Sequence, residues 1–198
     1  EVLTEQIIPA PITHYGISKL QAENYIIKNH IFSDKKYFIL RPSLIHGPGN
    51  KGNFNLLFKF IQFGIPWPLG SFNKKRSFCS IDNLTFVIEE LITRKDLVSG
   101  IYNVADDEPI ATNDLIKLIA VSQGKTHHIW NLPKSIIKLL SKMGDFFKLP
   151  LNSERLNKLT ETYIVSNNKI ITAINKPLPL SAKEGLMKTL NSFNTNVK

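Results

Sequence analysis

The chain has 198 residues, 42% hydrophobic and 21% charged, enough for one domain with a real core and too ordinary a balance for a disordered or fibrous protein. Its formal net charge of +9 comes from scattered lysines and from Arg41, Arg76, Arg94 and Arg155, without the clustered arginines and interleaved aromatics of nucleic-acid readers, so an anionic small substrate or an acidic membrane surface is expected and nucleic acid is not. A lone Cys79 excludes an internal disulfide, no apolar run approaches the ~20 residues of a membrane span, and Glu1-Val2-Leu3-Thr4-Glu5 lacks the build of a signal peptide, which together suit a reducing cytoplasm.

Residues 1–12, with Pro9 and Pro11, read as an extended loop feeding a helix from Thr13 to His30, with Thr13 as its cap. On that helix Tyr15 and Lys19, in Tyr15-Gly16-Ile17-Ser18-Lys19, share one face. A fixed cation beside a phenol favours the phenolate that a general base needs, so the pair is a candidate proton-transfer device. On the pentapeptide alone, two solvated side chains of a surface helix are an equal reading. Ser33-Asp34 and Lys35-Lys36 make the stop, and Tyr37-Phe38-Ile39-Leu40-Arg41 reads as a buried parallel strand that Pro42 ends. Helix followed by buried strand is half of a doubly wound α/β unit, whose ligands gather beyond the carboxyl ends of the strands. Here that place is Pro42-Ser43-Leu44-Ile45-His46-Gly47-Pro48-Gly49-Asn50.

Y-G-x-S-K followed by a strand ending R-P-x-L-x-x-G-P-G resembles the extended short-chain dehydrogenase/reductase superfamily, in its NAD-dependent epimerase/dehydratase family. The resemblance puts that family's catalytic tyrosine and lysine on Tyr15 and Lys19, which also contact the NAD (or NADP) cofactor, and has Pro42, Ser43 and Leu44 line the nicotinamide. Gly52-Asn53-Phe54 opens a helix over Leu56–Phe63, and Gly64-Ile65-Pro66-Trp67-Pro68-Leu69-Gly70-Ser71 and Lys75-Arg76-Ser77-Phe78 follow; the block resembles the family's nucleotide-sugar half. It implies Asn53 and Arg76 on the diphosphate, Trp67 and Leu69 in a loop presenting backbone to a uracil edge, and Arg155 and Lys158 as further cations. An amide at a helix start and a forked guanidinium both suit phosphate oxygens, although singly Trp67 also reads as loop packing and Arg76 as a solvated charge.

Further on, Thr85 to Arg94 reads as an amphipathic helix and Gly100-Ile101-Tyr102-Asn103-Val104 as a strand, with Asp106-Asp107-Glu108-Pro109 a solvated acidic turn rather than a metal site. Thr112-Asn113-Asp114 is expected to cap a helix over Leu115–Gln123, and His127-His128 to lie on the surface, so no metal is expected there either. Pro133 to Leu149 sets Lys134, Lys138 and Lys142 on one side with Ile136, Ile137, Leu139, Leu140, Met143, Phe146 and Phe147 around the rest. Such a helix either lies on an anionic membrane or, the favoured reading, turns its apolar stripe into a core. The tail resembles the family's closing segment, with Ser166 where an aspartate is usual and Asn175-Lys176 where glycine-tryptophan is usual.

The expected fold is α/β: the C-terminal half of a Rossmann-type doubly wound parallel sheet, interleaved with nucleotide-sugar-binding segments over 1–125, plus a small mixed α/β substrate-binding segment over 126–198. No glycine-rich dinucleotide turn precedes Tyr15, nor the serine or threonine the family places ahead of it, so the chain reads as the C-terminal portion of a longer enzyme, inactive alone. What the resemblance implies is hydride transfer at C4 of a UDP-sugar, as in UDP-glucose or UDP-N-acetylglucosamine 4-epimerases, with a homodimer possible for the complete protein. The alternatives are an NAD(P)H-dependent 4-keto-sugar reductase and, in another class, a non-catalytic nucleotide-sugar-binding module.

Overall fold

A computed structural model describes residues 1–30, 35–50, 53–126, 128–147 and 152–195. In chain order the elements are β1 (Val2–Leu3), α1 (His14–His30), β2 (Phe38–Pro42), β3 (Leu44–His46), α2 (Asn53–Gln62), β4 (Lys75–Arg76), β5 (Phe78–Ser80), α3 (Ile81–Thr93), β6 (Gly100–Val104), β7 (Ile110–Ala111), α4 (Thr112–Ser122), α5 (Lys134–Phe147), α6 (Ser153–Thr160), β8 (Ile164–Val165), α7 (Asn168–Ile174) and α8 (Ala182–Thr195). The apolar run before Pro42 is the strand its composition demands, and it pairs in parallel with β6 from Phe38↔Gly100 to Pro42↔Val104. β3 lies parallel to β5 and β1 to β8, while β4 and β7 are antiparallel. Parallel pairs joined through helices are the α/β class expected. Pro42 has no N–H to give the ladder, and the next residue supplies it: Ser43 N–H donates to Val104 O at 2.9 Å.

Three helices start earlier than expected: α2 at Asn53 rather than Leu56, and α3 and α4 where polar side chains found other partners. α3 begins at Ile81 rather than Thr85, since Ser80 is its cap and its hydroxyl accepts the Asn83 N–H at 3.2 Å. α4 begins at Thr112 with Ala111 as an unassisted cap. The expected caps are engaged elsewhere: the Thr112 hydroxyl donates to Lys74 O at 3.0 Å and Asn113 Nδ2 to Gly70 O at 3.0 Å. Ser33-Asp34, His127 and the end of the basic helix beyond Phe147 lie outside the described residues.

The apolar side chains form two cores. One joins α2, the 67–72 loop, α4 and α8 through Phe58, Ile61, Trp67, Ile116, Ile119, Leu186 and Leu190. The other joins β5, α3, β6 and α7 through Cys79, Val87, Tyr102, Val104, Ile170 and Ile174. Burying each such side chain contributes roughly 1.5–3 kcal/mol. α7 packs on β6 and α8 on α4, so residues beyond 126 build both cores together with residues before it.

The expected core stripe of α5 is not formed. Ile137 is buried, but Ile136, Leu139, Leu140, Met143 and Phe146 are exposed, because α5 packs chiefly against α6 and turns only its Ile137, Ser141 and Gly144 side inward.

Cys79 has no exposed surface, and burial, reinforced by the nearby charge of Asp106, pushes its thiol up to about 12. At pH 8 the folded protein should therefore react with iodoacetamide more than about 100-fold more slowly than the urea-unfolded chain, since access needs a local opening. Rapid labelling under native conditions would contradict this packing.

Candidate active site

α1 starts where Thr13 says it should: its hydroxyl accepts the Gly16 N–H at 3.1 Å and its carbonyl accepts the Ile17 N–H at 2.9 Å. The i, i+4 spacing then sets the Lys19 ammonium 5.3 Å from the centre of the Tyr15 ring. Tyr15 is 73% exposed, and Lys19 has no carboxylate partner among the described residues. A phenol and an ammonium therefore stand together, open to an incoming ligand. An exposed cation over a phenol is worth only about 0.5–1 kcal/mol, so the pair is not there chiefly for stability.

One turn further along the same face, Glu23 takes a two-pronged contact from Arg41 at the end of β2: Nε donates to Oε1 at 3.0 Å and Nη2 to Oε2 at 2.5 Å. Both side chains are largely covered. This fork fixes the rotation of α1 against the strand that runs directly into Pro42, Ser43 and Leu44. Ser43 is buried with its hydroxyl unpartnered among the described residues, whereas Leu44 is 40% exposed.

The turn after β6 is not solvated at its first acid. Asp106 is buried, and its carboxylate accepts the Ser80 N–H at 2.9 Å and Asn83 Nδ2 at 2.7 Å. Its other oxygen lies 3.4 Å from His46 Nε2, while His46 Nδ1 is 2.9 Å from the Thr189 hydroxyl. The imidazole is held between Phe54 and Phe78, with ring centres 5.8 and 6.0 Å away. The cluster thus ties the ends of β3 and β5, the start of α3, the turn after β6 and α8 at one point. α8 comes close because residue 185 is glycine; a Cβ there would sit 2.8 Å from Ser80 Cβ. Asp107 and Glu108 remain exposed, as expected of the turn, with Glu108 paired to Lys183 at 3.0 Å.

The 66–70 loop also departs from expectation. Trp67 and Leu69 are core side chains, each 4% exposed, and Trp67 meets Phe60 edge-on with ring centres 5.8 Å apart. The backbone expected to face a uracil edge is already paired: Trp67 N–H donates to His128 O at 2.9 Å, Trp67 O accepts from Trp130 N–H at 2.8 Å, and Gly70 N–H donates to Trp130 O at 3.0 Å. Gly70 permits this approach, because a Cβ there would lie 2.8 Å from Trp130 O. The loop's apolar residues and the 128–131 segment satisfy each other, which a single sequence read in order does not reveal.

Arg76 sits on β4, with its Nε donating to Glu161 O at 3.2 Å. Partial burial draws the guanidinium below its usual value, and the nearby charge of Glu161 opposes the effect. Tyr163 bridges β4 from the other side, its N–H donating to Lys75 O at 3.1 Å and its carbonyl accepting from Ser77 N–H at 2.7 Å. α6, which carries Arg155 and Lys158, ends just before this stretch, so its end is held beside Arg76. The side chains of Asn53, Arg155 and Lys158 lie outside the described part of the structure.

No protein-family model matches the chain. It is 31% identical over 187 residues to the UDP-glucose 4-epimerase of Vibrio cholerae, covering 93% of this chain and 55% of that protein. Among solved structures, the UDP-glucuronic acid 4-epimerase of Bacillus cereus in complex with NAD superimposes with a TM-score of 0.72 over all of this chain and 57% of its own, at 19% identity. By sequence the chain is similar to sugar 4-epimerases, and by fold to an epimerase solved with NAD. A second curated relative is the N-acetyl-α-D-glucosaminyl-diphospho-ditrans,octacis-undecaprenol 4-epimerase of Escherichia coli O157:H7, 27% identical over 191 residues, 91% of this chain and 56% of that one. The chain thus spans about half the length of the curated relatives that it matches. Among the described residues no helix is long and apolar enough to cross a membrane.

Two elements of the candidate site escaped the sequence reading. Glu23 continues the Tyr15, Lys19 spacing by four, and a strand-terminal Arg41 was at hand to pair with it. Asp106 follows a strand of a parallel sheet at its carboxyl end, the edge where polar clusters gather.

Proposed function

We propose that the chain is part of a cytoplasmic enzyme that inverts C4 of a UDP-sugar by reversible, NAD-dependent oxidation, in the supply of sugars for surface polysaccharide. The observation that supports this reading best is the open Tyr15–Lys19 pair on a helix locked to β2 by Glu23 and Arg41, in a chain related to 4-epimerases. The pair, with the unpartnered Ser43 hydroxyl at the end of β2, suits the nicotinamide ribose end of the cofactor. When bound, NAD supplies a hydride acceptor at C4 and returns the hydride. Tyr15 takes the C4 hydroxyl proton and gives it back; Lys19 holds the tyrosine oxygen's negative charge and donates to ribose hydroxyls. Pro42 and Leu44 cover the ring face, and Arg76, with Asn53, Arg155 and Lys158, holds the diphosphate.

The test uses the complete protein encoded by the gene, UDP-N-acetylglucosamine and no added reductant. Epimer formation supports the proposal. Consumption of NADPH on a 4-keto-sugar nucleotide would assign a reductase instead, and UDP-sugar binding with neither reaction would leave a binding module. For the diphosphate, Arg76→Ala should weaken UDP binding by about 1.5–3 kcal/mol, roughly 10- to 150-fold in Kd by titration calorimetry, while chemistry on bound substrate survives. An unchanged Kd would remove Arg76 from the site.

A further inference from the structure

None of the residues assigned above to C4 chemistry lies on α5. An α-helix turns once every 3.6 residues, which divides α5 into three sectors. Ile137, Ser141 and Gly144 face the protein. Ile136, Leu139, Leu140, Met143 and Phe146 share the adjoining sector and are 47%, 61%, 46%, 48% and 82% exposed. Lys138 and Lys142 stand exposed beyond the apolar sector, with Lys134, which lies 5.8 Å over the Phe72 ring, behind them. The helix's only acid, Asp145, accepts the Ser153 N–H at 2.8 Å, and hydrogen bonding to Ser153, from its side chain first and its backbone second, holds the carboxyl below the usual range. Three lysines against one aspartate give α5 a surplus of two positive charges on a chain of formal net charge +9. Trp130, 53% exposed, stands in the segment leading into the helix.

We infer that this face docks on an anionic lipid bilayer, with the apolar sector sunk to the level of the headgroups and Lys138 and Lys142 at the phosphates. Charge decides for lipid over a protein groove. A continuous apolar sector bordered by lysines, on a basic molecule and beside an exposed tryptophan, is the arrangement that an anionic interface stabilises. The inference is independent of the C4 reaction, since its readout is partitioning and not turnover.

The experiment is co-sedimentation of the complete protein with vesicles of about 40 mol% phosphatidylglycerol in phosphatidylcholine, and with phosphatidylcholine alone. Pelleting with the anionic vesicles at about 50 mM NaCl, falling steeply at about 500 mM, is expected. Lys138→Gln with Lys142→Gln should weaken partitioning about 5-fold per lysine, and Leu139→Glu with Phe146→Glu should abolish it. No pelleting at low salt, or pelleting indifferent to Leu139→Glu and Phe146→Glu, overturns the inference. It is equally overturned if the glutamate variant dissociates a dimer in the ultracentrifuge, which would give the face to a second copy. A melting temperature lowered by several degrees in that variant would show the rest of the protein covering the face, with the same consequence.

Discussion

Replacing Tyr15 by Phe in the complete enzyme should lower kcat by roughly 10²–10⁴ while leaving the fold intact. The substitution removes one oxygen from a side chain that is 73% exposed and whose hydroxyl makes no hydrogen bond among the described residues. The ring beneath the Lys19 ammonium stays, and with it the weak cation–π contact. UDP-sugar affinity should therefore change by less than about threefold, since the uncharged phenol contributes little to ground-state binding. Turnover, UDP affinity and melting temperature measured on one preparation separate the possibilities. Full activity in Tyr15→Phe would return the pair to an ordinary surface helix. A large loss of melting temperature would mean that Tyr15 is buried by a part of the protein beyond this chain.

What was readable in the sequence divides along a physical line. β2, β6 and α1 were legible because a five-residue apolar run and a capped helix are dictated by local chemistry: β2 and β6 fall where the apolar runs put them, and Thr13 caps α1. The Tyr15–Lys19 pairing was legible for the same reason, since helical spacing alone brings it about. Features set by long-range partners were not. Trp67 in a proline-rich loop looked available to a ligand until the 128–131 segment paired with its backbone. α3 extends back to Ile81 because Ser80 sits in a cluster assembled from residues distant in sequence. α5 shows the reverse error. Its amphipathic pattern promised a core, but a pattern says only that one face is apolar, not that the protein itself covers it. Asp106 was the largest miss, because three adjacent acids before a proline carry the composition of a solvated turn and only the fold turns the first of them inward.

Asp106→Ala should accordingly be the most destabilising single change in the described cluster, at about 3–5 kcal/mol. Its carboxylate is the acceptor for two buried donors, Ser80 N–H and Asn83 Nδ2, and it faces His46 Nε2. Truncation leaves all of these without their partner in a water-poor site, where each unsatisfied polar group costs about 1–3 kcal/mol. The loss is not confined to one element. Asn83 also donates to Leu180 O at 2.8 Å and accepts the Leu180 N–H at 3.0 Å, so loosening it releases the segment that leads into α8. Asp106→Asn keeps the shape and an acceptor oxygen able to take both the Ser80 N–H and Asn83 Nδ2, and should cost less, about 1–3 kcal/mol, because its NH2 then replaces the oxygen that faces His46 Nε2. Urea unfolding of the complete protein and both variants measures the difference. A loss below about 1 kcal/mol in Asp106→Ala would mean that water replaces the carboxylate freely, which is incompatible with a side chain that has no exposed surface. Because His46 leads directly into Gly47-Pro48-Gly49, a destabilised cluster should also make that loop open more readily, seen as faster amide exchange from residue 47 onward than in Tyr15→Phe, which leaves the cluster untouched.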